Sequence, residues 1–106
     1  MGSRILELLE EKQLFLKKDL TKADIALALG SNVTYVTAAV NTQFGKSFTE
    51  LVASYRIRYA QALMQQHPQM PLSEVADESG FASEKSFFRT FKAQTGLTPT
   101  QWKLQE

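Results

Sequence analysis

One stretch of this sequence is written twice. Thr21-Lys-Ala-Asp24-Ile25-Ala26-Leu27-Ala28-Leu29-Gly30 matches Pro71-Leu-Ser-Glu74-Val75-Ala76-Asp77-Glu78-Ser79-Gly80, every position displaced by 50. Beyond the glycine the displacement becomes 51: Asn32 meets Ser83, Val36 meets Phe87, Val40 meets Phe91 and Gly45 meets Gly96. Ser47-x-x-Glu50 then answers Thr98-x-x-Gln101. A repeat of this length is a supersecondary unit used twice. The chain must therefore fold as two copies of one small motif with something joining them.

The motif itself is legible. Thr21 with Asp24 three residues on forms a capping box, and Leu20 can staple against Ile25. Gly30 can take the left-handed conformation of a tight helix exit. Asn32 caps the next helix, which runs to about Phe44 with Val36 and Val40 inward and Gly45 as its stop. A helix of about eight residues, a short turn with glycine and a second capped helix is a helix-turn-helix. Ala26 and Ala76 suit the close crossing of the two helices. In the second copy a helix starts near Pro71–Ser73 and ends at Ser79-Gly80. Ser83 caps a helix to about Thr95, with Phe81, Phe87 and Phe91 as core. Thr98-Pro99 opens a last helix with proline at its favoured first position, and Trp102 is its expected buried anchor.

Between the copies lies Ser47–Gln66, a helix capped by Ser47 and Glu50 and closed by His67-Pro68. On a wheel of roughly 100° per residue it is apolar on two sides. Phe48, Leu51, Val52, Tyr55, Tyr59, Ala62 and Leu63 share one face; Ala53, Ile57, Ala60 and Met64 share a second. Such a helix needs a partner on each flank. Arg4–Gln13 reads as a further amphipathic helix, Leu14-Phe15-Leu16 as an apolar tether and Lys17-Lys18-Asp19 as a turn. The expectation is an all-α fold of seven helices with no strand. It divides into a first helix-turn-helix unit over about residues 4–46, a linker helix over 47–66 and a second unit over 67–106.

Composition narrows the function. A hydrophobic content of 43% is that of a globular chain. With no cysteine there is no disulfide framework and no cysteine-ligated zinc. No apolar run approaches the ~20 residues of a membrane span, and no leader pattern is recognisable, so a cytoplasmic location is expected. Twelve basic against eleven acidic residues leave a net charge of +1, too small for a non-specific nucleic-acid binder. Any nucleic-acid role must come from where the charges sit.

The segment Gly80-Phe81-Ala-Ser-Glu-Lys-Ser-Phe87-Phe88-Arg89-Thr-Phe91-Lys92-Ala-Gln-Thr-Gly96-Leu-Thr-Pro99-Thr-Gln-Trp102 resembles the signature of AraC-type transcription regulators. Arg56 followed by Ala60 and Leu63 resembles that family's linker helix. The match covers about Leu14 to Lys103. Ser86 stands where the family often has an aromatic residue, and Phe88 where a small polar one is common. The resemblance implies a bipartite, sequence-specific binder of double-stranded DNA at the bacterial nucleoid. It also implies a sensor or receiver domain upstream in the full-length chain.

In a helix-turn-helix the second helix enters the major groove, its N-terminal residues nearest the base edges. With Phe87 and Phe91 inward, the outward positions of its helix are Glu84, Lys85, Phe88, Arg89 and Lys92. Arg89 suits a guanine edge, Glu84 a cytosine amino group and Phe88 a thymine methyl, while Lys92 is placed for phosphate. The corresponding face of the earlier helix, Val33, Thr34, Thr37, Ala38 and Asn41, has no charge and should read by methyl contacts and hydrogen bonds. Helix N-termini at Thr21–Lys22 and Pro71–Ser73 offer amides to phosphates. Phe48–Gln66 spans about 28 Å at ~1.5 Å per residue, compatible with the roughly 34 Å between successive major grooves; the alternative geometry, one unit inserted and the other resting on the backbone, is also open.

Plainer readings stand beside these. Arg56 suits a structural ion pair with an acid of the second or fifth helix, Arg58 a solvated position and His67 a helix end. Met64 and Met70 fill gaps in the core. Glu10-Glu11 and Asp77-Glu78 suit solvated faces, and Glu84 and Lys85 a surface charge pair. No cofactor or metal is called for, and no acid–base–nucleophile constellation suggests an enzyme. The rival function is a helical protein–protein module that contacts RNA polymerase or the chain's own sensor domain.

Overall fold

A computed structural model describes residues 2–105, and among them all regular structure is helical. Seven α-helices follow one another: α1 (Gly2–Glu10), α2 (Lys22–Leu29), α3 (Val33–Phe44), α4 (Phe48–Gln66), α5 (Leu72–Glu78), α6 (Glu84–Thr95) and α7 (Pro99–Leu104). A 3-10 turn at Leu14–Leu16 lies between α1 and α2. The chain divides into two compact units, one through Tyr55 and the other from Arg56. The division falls inside α4, whose helix is continuous across it.

Capping chemistry sets the helix boundaries. The Thr21 hydroxyl accepts from the Asp24 amide at 3.2 Å while the Thr21 amide donates to the Asp24 carboxylate at 2.9 Å. Ser47 and Glu50 repeat the reciprocal pair at 3.1 and 3.0 Å at the head of α4. Thr98 and Gln101 do so at 3.1 and 2.9 Å at the head of α7. Each pair satisfies two of the amides that a helix start leaves without a partner.

The core of the first unit gathers Ile5 and Leu9 of α1, Ile25, Ala26 and Leu29 of α2, and Val36 and Val40 of α3. Phe48, Leu51, Val52 and Tyr55 from the first two turns of α4 complete it. In the second unit Ile57, Ala60 and Met64 of α4 pack with Val75, Ala76, Phe81, Phe87 and Phe91, and Leu63, Met70, Phe88 and Trp102 line that cluster. The two apolar sides of α4 are thus used mainly in succession along its length. Ala62, expected on an apolar face, is exposed.

Two expectations need correction. The first helix ends at Glu10 rather than Gln13. Gln13 adopts a left-handed backbone (φ 53°), and the turn after it drives Phe15 into the core, where its ring stacks on Tyr55 at 5.7 Å. Burying one phenyl ring outweighs another turn of helix. The Tyr55 hydroxyl then donates to Glu10 at 2.6 Å, close to where α1 stops. The fully buried member of α7 is Pro99, while Trp102 is half-buried with its indole edge-on to Phe91 at 5.8 Å.

Candidate nucleic-acid interface

In the first unit α2 and α3 are bent by 101° at their junction, within the 90–120° range of a helix-turn-helix. Gly30 takes φ 66°, a region that a side chain makes costly. The next residue, Ser31, donates its amide to the Ala26 carbonyl at 2.8 Å. Asn32 then accepts from the Tyr35 amide at 3.0 Å and starts α3. In the second unit Gly80 is the left-handed residue, and Phe81 donates to the Ala76 carbonyl at 3.1 Å. Phe81 therefore occupies the place of Ser31, and the residue that changes the displacement from 50 to 51 is Ala82. Ser83 accepts from the Ser86 amide at 3.0 Å and starts α6.

Each second helix is held by a stripe that solvent does not reach. Val36 and Val40 in α3, and Phe87 and Phe91 in α6, are 0% exposed. Phe87 meets Phe81 at 5.2 Å, Phe91 at 5.6 Å and Phe88 at 5.8 Å between ring centres, the last two edge-on. Such contacts fix the roll of the helix about its own axis, and with it the direction of the opposite stripe.

On α3, Val33, Thr34, Ala38 and Asn41 are exposed and Thr37 is half-buried. On α6, Glu84, Lys85, Arg89 and Lys92 are exposed. Phe88 departs from the outward placement: it is half-buried, because its ring packs edge-on against Phe87. Ser73 is exposed at the start of α5, where Pro71 provides no side-chain cap. Lys22 is half-buried, and the Thr21 amide, expected to be open to a phosphate, is already taken by the Asp24 carboxylate of the capping box.

Sequence reasoning passed over Tyr35, which is 63% exposed in the first turn of α3. The signal was available, since the stripe fixed by Val36 and Val40 leaves Tyr35 outside the core. Leu27 of α2 is another large apolar side chain left open, at 83% exposure.

Two carboxylates are tuned by their caps. The Thr21 amide, and beyond it Lys17 at 3.4 Å, hold Asp24 below the usual carboxylate range. The Ser47 amide does the same for Glu50. Arg56 lies with its guanidinium carbon 6.0 Å from the centre of the Phe81 ring, and burial lowers its pKa. Its cation thus faces the aromatic ring that closes the turn between α5 and α6.

Comparison with known proteins agrees with this geometry. Residues 25–105 match the family model of a helix-turn-helix domain. The transcriptional regulator YtdP of Bacillus subtilis is 29% identical over 90 residues, covering 85% of this chain and 12% of the relative. The transcriptional activator RhaR of Escherichia coli is 33% identical over 61 residues, covering 58% of this chain and 21% of the relative. The chain thus spans a small part of the length of either regulator. Among solved structures, the C-terminal domain of AraT, a response regulator from Geobacillus stearothermophilus, superposes with a TM-score of 0.90. It is 24% identical, and the match covers 99% of this chain and 84% of that one, a likeness of fold.

Proposed function

The chain belongs to the AraC-type helix-turn-helix family of transcription regulators, and on that premise we propose that it binds duplex DNA sequence-specifically, with α3 and α6 entering successive major grooves. One observation carries the reading. In both units the inner stripe of the second helix is fully buried while the opposite stripe is open to solvent. A helix anchored on one side and free on the other is the shape a major groove accepts.

Arg89 is the residue best suited to a guanine edge, with Glu84, Lys85 and Phe88 beside it. Val33, Thr34, Thr37, Ala38 and Asn41 face the other half-site. Lys22, Lys92 and Ser73 serve the phosphates, which set register and supply affinity; Thr21, its amide held by Asp24, can reach a phosphate only through its hydroxyl proton. The 19 residues of α4 span about 28 Å along the helix. A natural division of labour is units of about residues 4–46 and 67–106 joined by 47–66. The full-length regulator would work at the bacterial nucleoid, with a sensor or receiver domain upstream and RNA polymerase as a further partner. Leu27, open on α2, favours one companion role, a protein contact to either of these.

Selection from a random duplex pool tests the reading, followed by titration of the chosen duplex at several salt concentrations. The expected result is two short half-sites about one helical turn apart. Affinity should fall with salt at a log–log slope of about −0.9 for each phosphate neutralised. Enrichment of no sequence, or a flat salt dependence, would overturn it.

A further inference from the structure

We infer that the half-site read by α3 consists of A·T pairs recognised through thymine methyl groups, and that Tyr35 is the residue that sets this preference; the inference rests on the DNA-reading function proposed above. The twelve residues of α3 contain no Lys, Arg, Asp or Glu. In the major groove guanine shows two acceptors, best met by a cationic side chain, and cytosine an amino donor, best met by a carboxylate. Helix α3 has neither. It presents the methyl-bearing side chains of Val33, Thr34 and Ala38 and the amide of Asn41, all exposed. Thymine offers a methyl group to the first kind, and adenine a donor–acceptor pair to the second.

Tyr35 sharpens the assignment. It sits in the first turn, where a recognition helix comes nearest the base edges. Its amide is tied to Asn32 at 3.0 Å, so the side chain leaves from a fixed point. A phenol ring left 63% exposed is apolar surface still to be buried, and a thymine methyl is the apolar feature that the groove offers. The corresponding position in α6 is Ser86, which is half-buried, and the outward face there carries Lys85, Arg89 and Lys92 instead. The two helices thus present different chemistries to DNA.

The test replaces each thymine of the α3 half-site, one at a time, by 2′-deoxyuridine, which lacks only the methyl group. Binding of the full chain is followed by fluorescence anisotropy. Each contacted position should lose about fourfold in affinity, the worth of one buried methyl, with the salt slope unchanged. Tyr35→Ala should weaken binding to the thymine duplex and abolish the thymine–uracil difference at one position, with an unaltered circular dichroism spectrum. A G·C half-site, indifference to uracil everywhere, or losses from Tyr35→Ala that simply add to those of every uracil would overturn the inference while leaving DNA reading intact. Enrichment of no duplex at all would overturn the DNA-reading function, and the inference with it.

Discussion

Replacing Ser79 by alanine should make this protein more stable. Ser79 ends α5, is 0% exposed, and its hydroxyl has no hydrogen-bond partner among the described residues. Its backbone is satisfied, the amide donating to the Val75 carbonyl at 3.0 Å, and φ −87°, ψ 3° suits alanine without strain. A buried polar group left unpaired costs about 1–3 kcal/mol. Deleting the oxygen forfeits only a few dispersion contacts of ~0.1–0.2 kcal/mol each. The balance is a gain of about 1–2 kcal/mol, or roughly 5–10 °C in the thermal midpoint for a domain of this size. Urea unfolding read by the fluorescence of Trp102, the single tryptophan, reports on the second unit directly. The midpoint concentration should rise with the slope unchanged. Ser79→Leu, which copies Leu29 from the first unit, should go the other way by about 1–3 kcal/mol, because the site is already full. A Ser79→Ala midpoint at or below that of the parent chain would mean that the hydroxyl is satisfied, and the reasoning would fall.

Three further outcomes are expected. Arg89→Ala should lose on the order of 1–3 kcal/mol of discrimination at one base pair; competition with single-base variants of the selected duplex checks it, and equal loss on all of them would refute base reading there. Lys92→Ala should weaken binding about uniformly and reduce the salt slope by about one; a changed sequence preference in the same titrations would count against a phosphate role. Glu50 has its pKa lowered by folding, so its contribution is complete above the ordinary carboxylate value and is lost as pH falls through the lowered one. Glu50→Gln keeps a side-chain oxygen for the Ser47 amide, as Gln101 does for Thr98 at 2.9 Å, and should flatten the acid limb of a plot of thermal midpoint against pH. An unchanged limb would refute it.

Most of the fold was legible because its punctuation is local. Thr21, Asn32, Ser47, Ser83 and Thr98 each cap a helix through an amide three residues on, and that spacing can be read without any tertiary knowledge. The end of α1 could not be, since it depends on Phe15 meeting Tyr55, forty residues away in sequence, at 5.7 Å. Nor could the half-burial of Phe88. The wheel turns its Cβ outward, but an aromatic ring that long can lie back on Phe87. Tyr35 escapes for a different reason: the outward positions of α3 follow by analogy from α6, where the matching residue, Ser86, is small and half-buried and so gives no outward side chain to copy.

The way the two copies differ bears on function more than the way they agree. Inward positions pair like with like: Ile25 with Val75, Ala26 with Ala76, Val36 with Phe87, Val40 with Phe91, all buried. Outward positions on the second helices pair unlike with unlike: Thr34 with Lys85, Ala38 with Arg89, Asn41 with Lys92, all exposed. Packing alone would explain the first set and would leave the second free to vary without direction. The variation has a direction, because one helix is stripped of charge along its whole length while the other collects three cations on its outward side. Two identical readers would impose the same demand on both halves of a site; α3 and α6, if they read as proposed, would impose different ones. A site for this chain should therefore be asymmetric, and placing the chain in reverse on it should abolish recognition rather than merely weaken it.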